Sequence, residues 1–216
     1  NTSSELIFGL QSDGTATQNY GPTTVIINGQ VGSIEGNGAD FGVGGWGGAL
    51  RLRKQFVQKF ADASFSTDER NTIISGSRPI EITNIAIQGQ GFVLGKFSNK
   101  TSTGVAGANQ TFVDTDFPLF RLGDVYLMYA ECAKRGATNA SMSQAVTYVN
   151  NLRERANNNT SNNISQTDLT LDFILDERSR ELHWEGHRRQ DLIRFNKYVG
   201  GSYNWAWKGN SSSGVA

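Results

Sequence analysis

The sequence LDFILDERSRELHWEGHRRQDLIRFNK, residues 171–197, decides how this chain folds. It sets acidic and basic side chains among regularly spaced apolar ones such as Leu175, Leu182 and Leu192. A buried charge is tolerated only when it is paired. We therefore predict an interhelical ion-pair lattice that fixes how the helices dock. The charged residues of this segment are Asp176, Glu177, Arg178, Arg180, Glu181, Glu185, Arg188, Arg189, Asp191 and Arg194.

After residue 117, apolar residues recur with the spacing of helices along most of the chain. Ser141 is the expected N-cap of one helix, and Asp168 or Thr170 of the next. A short polar connection between the first two helices predicts an antiparallel pair. The four predicted helices are Leu122–Lys134, Ser141–Ala156, Leu171–Trp184 and Arg188–Tyr198.

The first predicted helix should turn one face inward, formed by Leu122, Val125, Tyr126, Tyr129, Ala130 and Ala133. Ala133, Ala145 and Val149 fall where tetratricopeptide hairpins place small residues. A single hairpin cannot bury its own apolar face. We therefore expect the chain to be a fragment of a longer protein that carries further hairpins.

The first part of the chain is glycine-rich and weakly periodic. Residues 13–46 favour irregular backbone and tight turns. Short strands are expected at Glu5–Gln11, which should be buried, and at Ile82–Ile87 and Gly91–Phe97, with a helix over Ala49–Phe60 and a polar loop over Asn99–Gln110. The predicted fold class is mainly α, a tetratricopeptide-like helical hairpin packed with an irregular loop-rich region that carries a few short strands. Residues 1–117 would form the loop-rich part and residues 118–216 the helical scaffold, as one compact unit.

The amino-acid composition limits which kinds of molecule this chain is expected to bind. Lys plus Arg number 20 and Asp plus Glu number 20, so the net charge is zero. This balance argues against a nucleic-acid surface and against electrostatic attachment to anionic lipid. It suits a neutral partner such as an uncharged sugar. The single cysteine, Cys132, excludes an internal disulfide framework and is expected to be buried and inert.

Three blocks of sequence resemble the SusD/RagB family of outer-membrane glycan-binding lipoproteins. They are DTDFPLFRLGDVYLMYAECAKRG (114–136), AVTYVNNLRERA (145–156) and ILDERSRELHWEGHRRQDLIRF (174–195). Weaker likeness extends over SELIFGLQ (4–11), GGWGGALRLRKQFVQKF (44–60) and YNWAWKG (203–209). The resemblance corresponds to the C-terminal portion of a typical member.

The resemblance implies a function that composition and periodicity do not show. Members of the family bind oligosaccharides at the bacterial cell surface without catalysis and sit as a lid on a SusC-like TonB-dependent transporter. In the full-length protein, a lipid anchor that this chain lacks would hold it on the outer membrane. The expected partners are thus an oligosaccharide or polysaccharide and the transporter, with no nucleic acid and no cofactor.

Sugar binding needs an exposed aromatic ring for the C–H face of a pyranose and polar side chains for its hydroxyls. The glycine-rich loop offers Asn37, Asp40, Phe41 and Trp46, and the sequence QNYGP adds Asn19 and Tyr20 as second candidates. The alternative for Trp46 is that it pins the loop to the helix that follows. Trp184 is expected in the core, and Trp205 and Trp207 against the domain.

The same residues suggest three other functions. His183 and His187 lie four apart, but the zinc-protease pattern needs Glu directly after the first His in an unbroken helix, and Gly186 interrupts this one. Glu177, Glu181 and Glu185 could serve glycoside hydrolysis, but pairing with Arg lowers a carboxyl pKa and makes it a poor general acid. A scaffold that binds only protein is the main alternative to glycan binding.

Overall fold

Helices dominate the described part of the chain. The computed structural model describes residues 3–31, 37–46 and 50–198. Within these ranges the helices are α1 (Pro22–Gln30), α2 (Lys54–Val57), α3 (Leu122–Lys134), α4 (Met142–Asn157), α5 (Leu171–Glu181) and α6 (Arg188–Arg194). The strands are β1 (Leu6–Leu10), β2 (Ile73–Ile74), β3 (Val93–Leu94) and β4 (Phe117–Arg121), and 3-10 turns cover Gly38–Phe41, Gln58–Phe60 and Ala63–Phe65.

Helices α3 and α4 form the predicted antiparallel hairpin. Tyr129 bonds the backbone N–H of Ser141 near the turn, and one helical turn back Tyr126 stacks on Tyr148 at 4.5 Å. Helix α3 is followed by Gly136, whose φ of 86° is a conformation that favours glycine. The hydroxyl of Ser141 caps α4 by accepting the N–H of Gln144, as expected.

The main core lies between this hairpin and α5. It unites Leu127, Ala130, Ala133, Ala145, Val149, Leu152, Leu169 and Ile174, all buried. Thr170, rather than Asp168, caps α5 through the N–H of Phe173. The helix stops at Glu181, three residues before the predicted end, because the chain turns sharply and Trp184 takes φ 60°. Helix α6 is also shorter than predicted.

Two inward-facing predictions for α3 are wrong. Val125 is 38% exposed, and Leu127 takes a core position in its place. Cys132 is exposed, not buried as expected. Both residues lie on the face of α3 that no neighbouring described element covers fully.

Strand β1 occurs where it was predicted, but it is not buried. It pairs antiparallel with β4, which joins directly to α3. Ile7, Phe8 and Phe120 are more than half exposed, and Phe8 and Phe120 face each other with ring centroids 6.5 Å apart. The two strands form a two-stranded ribbon with several exposed apolar side chains.

The loop-rich part contains a helix that the glycine content concealed. Helix α1 begins at Pro22 inside the segment expected to be irregular. It buries Ile27 beside Val31, Val43 and Val113 in a second small core. The predicted helix over 49–60 reduces to α2 and a 3-10 turn, because Arg53 is extended at ψ 142°.

A third cluster joins the loop-rich part to the helices. Leu52, Phe56, Phe60 and Leu94 are buried together, and Trp184 is only half-buried against them. The strand predicted at Gly91–Phe97 shrinks to β3, and Ile82–Ile87 forms turns instead of a strand. The mainly α fold class with a few short strands is confirmed. No helix within the described ranges has both the length and the apolar character needed to cross a bilayer.

Candidate functional site

The loop that carries Trp46 is fixed by the carboxyl end of α1. The Trp46 backbone N–H donates to the carbonyls of Asn28, at 2.7 Å, and Val31, at 3.1 Å. The Asn28 side chain also accepts from the N–H of Gly45. These bonds satisfy carbonyls that the end of a helix leaves free. Main-chain bonding to the preceding helix therefore places Trp46, and its ring remains available.

The rings of Tyr20 and Trp46 come together on the surface. Their centroids lie 6.2 Å apart, and the ring of Phe112 meets Tyr20 edge-on at 5.3 Å. Tyr20 is 67% exposed and Trp46 38% exposed. We call these three side chains the aromatic patch. Aromatic faces that stay exposed and support one another can stack on the apolar face of a sugar ring.

Phe112 was missed by the sequence analysis, although it completes the patch. The side chain of Asn109 accepts the backbone N–H groups of Thr111 and Phe112, at 2.8 and 3.0 Å. This Asx turn fixes the backbone that carries the ring. Its position directly after a polar loop that contains Asn was the sequence signal that could have identified Phe112 as a candidate.

The other sequence candidates divide between the patch and the nearby 3-10 turn. Asn19 adjoins Tyr20, is exposed, and donates to the carbonyl of Thr17. Asn37 caps the turn by accepting the N–H of Ala39, and Asp40 is exposed within it. Phe41 is half-buried against the Ile27–Val31 core, so its ring packs inward and does not offer a stacking face. Trp205 and Trp207 lie outside the described residues.

The carboxylate ridge on α5 is held in ion pairs, as predicted. Glu177 is fully buried and bonds Arg70, Arg153 and Arg180. Burial alone would raise its pKa, but these guanidinium groups outweigh burial and lower the pKa to about 2. A carboxyl group that stays ionised at neutral pH cannot donate a proton as a general acid.

Glu181 and Glu185 are held in the same way. Glu181 bonds Arg70, Arg121 and Arg155, which keep its pKa well below the usual range despite burial. Glu185 pairs with Arg121 and Lys96. Two further buried ion pairs join Arg178 to Asp124 and Asp191, at 2.8 and 2.9 Å between the charged atoms. The lattice thus ties α5 to α3, α6, β4 and the loop-rich part.

The two histidines lie in different surroundings. The imidazole of His183 stacks on the ring of Phe56 with centroids 3.6 Å apart, and burial lowers its pKa to about 3. His187 lies at the start of α6. Among residues 3–31, 37–46 and 50–198, no three His, Cys, Asp or Glu side chains group closely enough to hold a metal ion.

Comparison with curated proteins finds relatives that carry the SusD name. The starch-binding protein SusD of Bacteroides thetaiotaomicron is 30% identical over 260 aligned residues, which cover all of this chain and 45% of that protein. The SusD-like protein P25 of Formosa agariphila is 42% identical over 88 residues, or 36% of this chain and 15% of that protein. The chain therefore spans less than half the length of these relatives.

Solved structures share the fold. A surface glycan-binding protein A from Bacteroides thetaiotaomicron, in complex with laminarihexaose, superposes with a TM-score of 0.62 at 24% identity, over 92% of this chain and 45% of that one. A SusD superfamily protein from Bacteroides vulgatus gives 0.58 at 22% identity, over 90% and 36%. At these identities the likeness concerns the fold alone.

The profile of the SusD family matches residues 51–214. Since that match covers most of the sequence, the chain belongs to the SusD family.

Proposed function

We propose that this chain supplies part of a non-catalytic glycan-binding surface, on which the aromatic patch stacks against sugar rings. The single observation that carries the proposal is the pair of exposed rings, Tyr20 and Trp46, whose centroids lie 6.2 Å apart, with Trp46 held by main-chain bonds to the end of α1. The printed names of relatives that bind starch or laminarihexaose support the same class of ligand.

The geometry of the patch suits capture of a neutral polymer. A sugar ring can lie on either exposed face and gains from apolar burial, while neighbouring Asn19 can bond its hydroxyls. Asp40 and Asn37, on the exposed 3-10 turn, would extend the polar border. Because main-chain bonds already fix Trp46 and an Asx turn fixes Phe112, little ordering entropy is lost there when the ligand binds.

The remainder of the chain would act as a scaffold. In this division, residues 1–117 carry the glycan-binding loops and residues 118–216 the helical support, with the ion-pair lattice between them. A lattice whose carboxylates are already saturated by Arg and Lys holds elements in place and offers no free acid or base for hydrolysis. The proposal therefore assigns no catalysis to Glu177, Glu181 or Glu185.

At the level of the whole protein, we propose surface exposure on the outer membrane through a lipid anchor and delivery of the glycan to a SusC-like TonB-dependent transporter. Family membership supports this role. The transporter would take over the ligand that the aromatic patch holds.

A protein-binding scaffold is the second candidate, and one observation favours it. The β1–β4 ribbon exposes Ile7, Phe8 and Phe120, each more than half accessible. Exposed apolar side chains of this kind can serve a protein partner. The scaffold alternative predicts contact with the transporter and no direct affinity for glycan.

Native affinity electrophoresis against a panel of polysaccharides that includes starch and laminarin separates the two candidates. The proposed function predicts that at least one polysaccharide retards the chain and that Tyr20→Ala abolishes the retardation. Normal migration in every gel, together with retention of the protein in a transporter pull-down, would favour the scaffold.

A further inference from the structure

The side chain of Asn28, near the end of α1, bonds two of the loops that form the aromatic patch. Asn28 is only 1% exposed. Its Nδ2 donates to the carbonyl of Thr24, one helical turn earlier, at 3.0 Å, and to the carbonyl of Thr111, at 2.9 Å. Its Oδ1 accepts the N–H of Gly45 at 3.3 Å. The amide thus uses both of its donor N–H groups and its oxygen in bonds to the backbone.

These two loops carry two of the three rings of the patch. Gly45 directly precedes Trp46, and Thr111 directly precedes Phe112. Asn28 lies 17 positions from Gly45 and 83 positions from Thr111, so one buried side chain joins three segments that are distant in sequence. A shift of the Asn28 amide would therefore displace the backbone beside both rings.

Tyr20, the third ring, lies at the opposite end of α1. It stands two residues before Pro22, the first residue of the helix. The hydrogen-bonded turns of α1 connect this end of the helix to Asn28. The edge-on contact of Tyr20 with Phe112, at 5.3 Å between ring centroids, thus depends on how firmly α1 holds the loop of Phe112.

Other bonds of α1 each hold one of these loops alone. Oγ1 of Thr24 accepts the N–H of Val113 at 3.3 Å. The backbone N–H of Trp46 donates to the carbonyls of Asn28 and Val31. The Asn28 side chain differs from these groups because it bonds both loops at once, and so fixes the position of one loop relative to the other.

The chemistry at this position can be changed at nearly constant side-chain size. Leucine has neither donor nor acceptor, so in Asn28→Leu the Thr111 carbonyl and the Gly45 N–H lose their side-chain partner. Aspartate keeps an acceptor for Gly45 but turns an oxygen toward the carbonyls of Thr24 and Thr111. A polar group that loses its partner is destabilised by more than the bond itself contributed. Both loops are therefore expected to shift away from α1 until these groups find water.

We propose that Asn28 is a positioning residue for the glycan site, whose side chain sets the separation and tilt of the rings of Trp46, Phe112 and Tyr20. This inference rests on the proposed function, because it concerns the same aromatic patch. Asn28 is buried and touches no sugar itself, so it acts through the backbone of the two loops. A site left about 1 Å too loose by its supporting residues binds poorly.

Asn157, the last residue of α4, provides a matched control. It is also buried, and its Nδ2 donates to the carbonyl of Arg153, one helical turn earlier, at 2.8 Å. Its Oδ1 accepts from Thr67 at 3.2 Å and from Asn162 at 2.9 Å. Asn157→Leu therefore removes as many side-chain bonds as Asn28→Leu, and none of its partners adjoins a ring of the patch.

Affinity electrophoresis compares Asn28→Leu with Asn157→Leu against the polysaccharide that most retards the wild-type chain. Both variants should lower the melting temperature by a similar amount, since each loses a buried amide. Asn28→Leu should bind about tenfold more weakly, as when a central aromatic anchor is lost, and Asn157→Leu should bind like the wild type. Unchanged affinity in folded Asn28→Leu, or an equal loss in Asn157→Leu, would overturn the proposal. If Asn28→Leu does not fold, Asn28→Asp takes its place with the same expectation.

A double-mutant cycle tests whether Asn28 acts through the rings. In a Phe112→Ala background, Asn28→Leu should weaken binding by a smaller factor than in the wild type, because part of its effect passes through the missing ring. A structural role elsewhere would instead give the same factor in both backgrounds, and that result would contradict the proposal.

NMR of the chain without ligand separates a failure of this inference from a failure of the proposed function. The wild type and Asn157→Leu should show nuclear Overhauser effects between the ring protons of Tyr20 and Phe112, and Asn28→Leu should weaken them. If no polysaccharide retards the wild type, the proposed function fails, and these ring contacts alone decide the role of Asn28. Ring contacts of wild-type strength in Asn28→Leu would overturn that role while leaving glycan binding in place.

Discussion

Arg121, the last residue of β4, donates from Nη1 to Oε1 of Glu181, the last residue of α5, at 2.6 Å. The two are sixty positions apart in sequence. The same guanidinium also bonds Glu5, at 2.7 Å, and Glu185, at 2.7 Å. One half-buried cation thus links the strand ribbon, the end of α5 and the turn after it.

Replacing this cation should strongly destabilise the fold. In Arg121→Met the methylene volume is largely kept, but the buried carboxylates of Glu181 and Glu185 lose a main partner. Breaking a buried ion pair costs about 3–5 kcal/mol of unfolding free energy. Urea unfolding followed by circular dichroism measures the loss.

The matched control is Arg135→Met. Arg135 pairs with Glu131 one helical turn away, and its side chain is 42% exposed. Glu131 keeps a second cation in Arg194, so losing the exposed Arg135 should cost less than about 1 kcal/mol. Equal losses in the two variants would show that the lattice around Arg121 does not hold the elements together.

The lattice also makes stability depend on pH in a defined direction. Arginine partners lower the pKa of Glu177 from 4.5 to about 2 and that of Glu181 below its usual range. Above pH 4.5 the two glutamates are ionised in both the folded and the unfolded protein, so their full contribution to the free energy of unfolding is present. As the pH falls toward 2, the unfolded chain binds protons first, so the free energy of unfolding decreases across this window.

Urea unfolding at pH 6, 4, 3 and 2.5 measures that decrease. Glu177→Gln removes one titrating group and should flatten the curve, although the variant begins less stable. Asp172→Asn, at a side chain 79% exposed, should reproduce the wild-type slope. A stability that stays constant from pH 5 to pH 2.5 would contradict the buried ionised carboxylates.

Cys132 should react readily in the folded protein. Its side chain is exposed on α3, so a thiol reagent such as dithionitrobenzoate needs no unfolding to reach it. The labelling rate in buffer should come within about tenfold of the rate in urea. Cys132→Ser provides the blank. Labelling that occurs only after unfolding would restore the buried thiol that the sequence suggested.

The helical hairpin and the lattice could be predicted because their signals are local. Leu122–Lys134 matches α3, since apolar spacing, a following glycine and a polar connection all agree. Thr170 and Ser141 carry side chains that cap helices whatever the tertiary context. The dense charges of residues 171–197 required partners on other elements, and the structure supplies them.

Other elements depend on contacts that no local pattern contains. Ile82–Ile87 has the composition of a strand, but the carbonyls of Ile85 and Ile87 accept from Arg51, so the segment needs no strand partner. Helix α1 was hidden because β-branched residues and glycine weaken its periodicity, although Pro22 at its start was a usable signal. Tyr20, Trp46 and Phe112 come from three separate segments of the chain, so only the tertiary fold brings their rings together.

The contribution of each ring of the aromatic patch can be measured by alanine substitution. Trp46→Ala should weaken glycan binding about tenfold or more, as expected for a central aromatic anchor. Its backbone bonds to Asn28 and Val31 do not involve the ring, so the melting temperature should change little. A large loss of stability at unchanged affinity would instead show a structural tryptophan.

The most direct measurement compares Tyr20→Ala with Phe120→Ala in affinity electrophoresis against the polysaccharide that most retards the wild-type chain. Both rings are more than half exposed, but only Tyr20 belongs to the patch. Tyr20→Ala should lose retardation, and Phe120→Ala should keep it. Retention in Tyr20→Ala, or an equal loss in Phe120→Ala, would contradict this prediction.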